Sequence, residues 1–62
     1  MTKARSIAMG IELILSVEPD AECATNHDQF FCGTHTDQYP DVAAKLTELG
    51  WFEDEDSWSI FT

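Results

Sequence analysis

Residues Ser6–Val17 read SIAMGIELILSV, and the fold of the chain turns on how that stretch is read. Its odd positions, Ile7, Met9, Ile11, Leu13, Leu15 and Val17, are all apolar. Its even positions, Ser6, Ala8, Gly10, Glu12, Ile14 and Ser16, are mostly small or polar. Apolar residues at every second position describe a strand, because successive side chains point to opposite sides of a sheet. The pattern predicts a long first strand with its odd face in a core. Six apolar side chains on one face need a covering layer, and the rest of the chain supplies one.

Working outward, Met1–Arg5 reads as a polar, basic and flexible lead-in. Glu18-Pro19-Asp20 ends the apolar run, since proline removes a backbone donor and aspartate favours turns. Ala21–Asp28 shows no clear period and reads mainly as a connection. Gln29–Thr34 is short and aromatic, ends near Gly33, and predicts a second strand antiparallel to the first. Thr36–Gly50 predicts the one helix. Asp37 suits its N-cap, Pro40 its first turn and Gly50 its stop. Val42, Ala43, Leu46 and Leu49 fall on one stripe of it, facing the odd side of the first strand with Trp51 or Trp58 beside them. Trp51–Thr62 predicts a closing hairpin around the acidic turn Glu53–Ser57, with Trp58 and Ile60 on one face and Phe61 on the other. The order is β-β-α-β-β: a single small α+β domain spanning residues 1–62, with an antiparallel sheet of three to four strands and one helix on one face.

Sixty-two residues bury only about 60% of their unfolded surface, so a domain of this size has little stability to spare. A hydrophobic content of 44% excludes a disordered acidic tail. Lys3 and Arg5 precede an apolar run, but Glu12 interrupts it, so neither a targeting signal nor a membrane span is expected and a cytoplasmic setting is. Charge is the strongest compositional fact. Twelve carboxylates face three Lys/Arg, for a net charge of -9, and every carboxylate lies at or after Glu12, where Lys45 is the single base. Such a chain is repelled by nucleic acid and anionic membranes and attracted to basic protein surfaces. Solubility alone, or adaptation to high salt, accounts for the same composition.

Three constellations could carry chemistry. Cys23, His27, Cys32 and His35 have the spacing C-x3-H-x4-C-x2-H and the residue types of a zinc site, which would stabilise so short a chain. Their order alternates, whereas a zinc finger pairs its cysteines on a knuckle and its histidines on a helix. Against zinc stands the reading of Cys32 as a small buried hydrophobe, and no cofactor is expected. A Cys23–Cys32 disulfide closing a short loop is a further option. Catalysis by a cysteine with His27 or His35 would need a cleft of roughly 300 Å³, for which 62 residues leave little room, so no enzyme is expected.

Glu53, Asp54, Glu55 and Asp56 are consecutive carboxylates. They lack the spaced ligands and turn glycine of a calcium loop. A solvated turn that keeps a sheet edge from pairing is one reading. A contact surface for a basic partner, formed together with Glu18, Asp20, Glu22 and Asp28, is the other. Those eight residues are the expected partner-binding set. Phe31, Phe52 and Phe61 are candidates for the sheet face that a single helix leaves open. An aromatic patch there, rimmed by carboxylates, would serve a protein interface or a homodimer.

The segments Ala21-Glu22, Asn26-His27-Asp28-Gln29, Leu49-Gly50-Trp51 and Trp58-Ser59-Ile60-Phe61-Thr62 resemble short acidic proteins of phages and prophage regions. The likeness covers about the last two-thirds of the chain and carries no functional residues over. It implies a setting in which tiny acidic proteins block host enzymes or defence systems, some by mimicking the charge of DNA. The expectation is a non-enzymatic inhibitor that binds a basic surface of a host protein in the host cytoplasm, without binding nucleic acid or membrane itself. A zinc-stabilised structural domain using Cys23, His27, Cys32 and His35 is the alternative.

Overall fold

In the computed structural model, which describes Met1–Thr62, the stretch that opens the chain is a helix and not a strand. Helix α1 runs over Lys3–Val17. Strands β1 (Cys23–Asn26) and β2 (Gln29–Cys32) follow, then helix α2 (Pro40–Glu48) and strands β3 (Phe52–Asp54) and β4 (Ser57–Phe61). The architecture is α+β with a four-stranded antiparallel sheet, as expected, but with two helices instead of one. The β-β-α-β-β order survives because β1 forms in the segment read as a connection, while the expected first strand becomes α1.

The reason lies in the composition of Ser6–Val17. The run is so rich in apolar residues that it satisfies two periods at once. Ile7, Gly10, Ile11, Ile14 and Val17 recur at the helical spacing, and Gly10 and Ile14 on that face are buried. Met9, Glu12, Leu15 and Ser16 point outward. Length decides between the periods: the run exceeds the five to six residues of an ordinary strand, and Ala, Met, Leu and Glu favour helix. The Thr2 side chain caps the helix by accepting the Arg5 N–H at 3.2 Å, so Lys3–Arg5 form its first turn and are no loose lead-in. Pro19 lies just past the Glu18 C-cap and prevents continuation.

Helix α2 starts later than expected. Pro40 occupies its first turn, and Tyr39, not Asp37, is the N-cap, without a side-chain capping bond. Strand order in the sheet is β1-β2-β4-β3. Both hairpins turn on two residues, His27-Asp28 and Glu55-Asp56, so the first is tighter than the sequence suggests.

Both helices cover one face of the sheet. Ile14 of α1 and Leu46 of α2 meet Cys32, Trp58 and Ile60 of the sheet, with Trp51 between them, and Ile7, Ile11, Val42 and Leu49 pack around this centre. The expected companions of the opening stretch, Val42, Leu46 and Leu49, are therefore in the cluster, although a helix face presents itself to them. Phe30 meets Trp51 edge to face at 6.1 Å. The Trp51 indole N–H donates to the Ser6 carbonyl at 3.1 Å. Gly10 makes that approach feasible, since a Cβ there would overlap the indole ring.

Candidate functional site

Alternation along β4 divides the sheet into two unlike faces. Trp58 and Ile60 point into the core, so Ser57, Ser59 and Phe61 point the other way. Phe31 and Phe52 both stand opposite Ser59, and Gln29 stands opposite Phe61. This face has no helix over it. Phe31, Phe52 and Phe61 gather there, with Phe52 and Phe61 in contact at a ring separation of 5.1 Å. Phe61 is 54% exposed. All three rings named as candidates for the open face lie on it.

The rings surround a polar clasp. The Gln29 side-chain amide donates to Asp54 Oδ2 at 2.7 Å and to Ser59 Oγ at 2.8 Å. Ser59 is fully buried beneath this clasp. Burying a hydroxyl without a partner would cost free energy, and Gln29 supplies the partner while holding the Asp54 carboxylate at the aromatic patch. Nothing in the local sequence marks Gln29 and Ser59 as site residues. Their parity with Phe61 and Phe31 is the signal that places them, and it becomes readable once the strand register is known.

The structure collects seven of the eight expected partner-binding carboxylates at one end of the sheet. Glu18 closes α1, and its Oε1 accepts the Thr34 N–H at 2.9 Å. Asp20 and Glu22 follow on the exposed connection, and the Glu22 carbonyl accepts the Gly33 N–H at 2.9 Å. Glu53 and Asp54 end β3, and Glu55 and Asp56 form the turn after it. Glu53 Oε2 accepts the Asp56 N–H at 2.9 Å, and the Asp56 carbonyl accepts the His35 N–H, also at 2.9 Å. The segment Gly33–His35 thus ties both acidic groups to one end. Asp28 lies at the other end, where its carbonyl accepts the Thr62 N–H. Lys3 and Arg5 sit about 20–22 Å along the helix from Glu18, so charge is segregated along α1 as well as unbalanced in sum.

Between the end of α1, the Thr34–Tyr39 segment and the start of α2 lies a cleft of about 310 Å³. The expectation that so short a chain leaves little room for one is corrected, because a second helix stands beside the first. Its walls include Val17, Val42, Tyr39 and Trp58, and Glu18 supplies its carboxylate. Neither cysteine nor histidine lines it.

The four residues of the alternative zinc reading, Cys23, His27, Cys32 and His35, do not converge. Cys23 and Cys32 face each other across β1 and β2. His27 sits in the turn at the far end of that hairpin, and the His35 ring rests on Trp58 at 4.8 Å. No three His, Cys, Asp or Glu side chains group to hold a metal ion. Burial raises the Cys32 thiol pKa above its ordinary 9.0, and the negative charge of Cys23 and Glu18 adds to the rise. No helix is long and apolar enough to cross a membrane. No protein-family description, curated protein or solved structure matches the chain.

Proposed function

We propose that this chain is an acidic protein-binding module that docks a basic protein surface on its open sheet face. The observation that supports this reading most is the placement of Phe31, Phe52 and Phe61 on an uncovered face that shares Asp54 with an end bearing seven carboxylates. Aromatic rings that lose water on contact supply anchors. The carboxylate end steers a basic partner and fixes its orientation. The cleft beside Glu18 is shaped for an Arg or Lys side chain, whose apolar stem would lie along Val17 and Val42.

The partner surface that matches this charge best is the phosphate-binding groove of a nucleic-acid-binding protein. The carboxylates would stand where phosphates otherwise do, and the module would act by occupying the groove, without turnover. A phage-encoded inhibitor of a host nuclease or defence factor is the fullest form of this reading. It draws on the charge and on the resemblance to acidic phage proteins.

The test is capture from host lysate at low salt, carried out with the wild-type chain and Phe61→Ser. Phe61 is exposed enough to be replaced without unfolding the domain. The expected result is one protein retained by the wild type, released as salt rises, displaced by duplex DNA and not retained by Phe61→Ser. Retention that ignores salt, DNA and Phe61→Ser overturns the proposal. So does a dimer mass by light scattering that Phe61→Ser reduces to a monomer, since the face would then be a seam between two copies.

A further inference from the structure

We infer that Cys23 and Cys32 form an oxidisable dithiol, which closes into a disulfide across the first hairpin when the protein meets a disulfide oxidant such as oxidised glutathione. The strand register carries the inference. Cys23 stands directly opposite Cys32, the fourth pair from the two-residue turn. In such a hairpin the pair closing the turn, Asn26 with Gln29, is hydrogen-bonded, and bonded and non-bonded pairs then alternate. Thr25 with Phe30 is non-bonded, Ala24 with Phe31 bonded, and Cys23 with Cys32 non-bonded. The Gly33 N–H donating to the Glu22 carbonyl at 2.9 Å is the next bonded pair and agrees with this phase. Non-bonded antiparallel pairs bring their Cα atoms to about 4.5 Å and their side chains closest together. A disulfide accepts Cα separations of about 4.4–6.8 Å, so the strands need not move apart or twist to admit one.

Exposure assigns the two sulfurs different parts. Cys23 is exposed and Cys32 is 4% exposed. The Cys23 thiolate attacks one sulfur of oxidised glutathione, forming a mixed disulfide and expelling one glutathione thiolate. Cys32 gives its proton to solvent, attacks the Cys23 sulfur and expels the second glutathione. Two electrons pass from the cysteine pair to the oxidant, and one intramolecular S–S bond remains. The raised pKa of Cys32 leaves little of it as thiolate near neutral pH, so the second step speeds up as pH rises.

The bond would act where the sheet is least anchored. All four residues of β1 are exposed, and its only strand neighbour is β2. Tying residues 23 and 32 together restricts the unfolded hairpin and raises the melting midpoint by about 10 °C.

The test incubates the folded full chain with glutathione buffers of increasing oxidised fraction, followed by acid quench, intact mass and melting. The expected product is a monomer lighter by two hydrogens, with no free thiol, no bound glutathione and the higher midpoint. Cys32→Ser should instead accumulate one glutathione adduct on Cys23. Cys23→Ser, which changes an exposed edge residue and leaves the core intact, should keep an unreacted Cys32 thiol. Persistence of a stable wild-type adduct, two unreacted thiols in strongly oxidising buffer, or a disulfide-linked dimer each overturns the inference.

Discussion

Gly10 and Trp51 show how a single atom governs this core. The indole lies against the backbone of α1 where any side chain would stand, and its N–H is satisfied by the Ser6 carbonyl. Gly10→Ala should cost about 2–3 kcal/mol, because the ring must leave a packed site and give up its hydrogen bond. Urea unfolding gives the stability, and a red shift of tryptophan emission would report the displaced ring. A loss no greater than the ordinary gain of alanine over glycine in a helix would show that the ring does not depend on this contact. Cys32 sets a second residue-scale expectation. Its folded thiol ionises above 9.0, the value for an unburied thiol. The unfolded chain then releases the proton first as pH rises, so stability from this group is complete below about pH 9 and declines above it. Urea midpoints of the reduced protein between pH 8 and pH 10 should fall more steeply than those of Cys32→Ala.

At the scale of elements, the β3–β4 turn is a weak point with an evident remedy. Glu55 and Asp56 hold φ values of 53° and 63°, the sign pattern of a tight hairpin turn that favours Asn-Gly. Glu55→Asn combined with Asp56→Gly should stabilise the domain by about 1 kcal/mol, read as a higher urea midpoint. The backbone bonds of Asp56 to Glu53 and His35 survive the change, since they use only its main chain. Retaining Glu55-Asp56 at this turn keeps two carboxylates in the acidic end, which accords with a role for them in contact. The helices teach a different lesson. In α2, Pro40 in the first turn, the Val42–Leu46–Leu49 stripe and the Gly50 stop are legible locally, because each is a statement about near neighbours in sequence, whereas the exact start is not: Tyr39, and not Asp37, is the N-cap. In α1, the apolar residues are legible but their period is not, because seven large or medium apolar side chains in twelve positions fit a strand and a helix alike.

Across the whole molecule, charge works against compactness. A net charge of -9 with seven carboxylates gathered at one end makes the folded state repel itself. Raising salt from low to near-molar concentration should stabilise the fold by about 1 kcal/mol, roughly 4–8 °C in the melting midpoint, as these charges are screened. The same screening should weaken the proposed partner contact, so one titration moves stability and binding in opposite directions. A midpoint that falls with salt would mean the charges are mutually compensated in the fold.

Composition and local pattern determined the α+β class, the second helix, the closing hairpin and the aromatic surplus that places Phe31, Phe52 and Phe61 on an open face. These follow from propensity, turn chemistry and parity within a few residues. Length and propensity already favour a helix over Ser6–Val17, and tertiary structure decided which of its apolar faces is buried, through packing against Trp51 and Leu46. It also decided that Cys23–Asn26 is a strand: an exposed polar edge has no burial pattern of its own and exists by pairing with β2. The candidate site depends on both. Its carboxylates and rings are written in the chain, while their assembly at one end and one face, with Gln29 clasping Asp54 and Ser59, comes from strand register, which joins residues far apart in sequence.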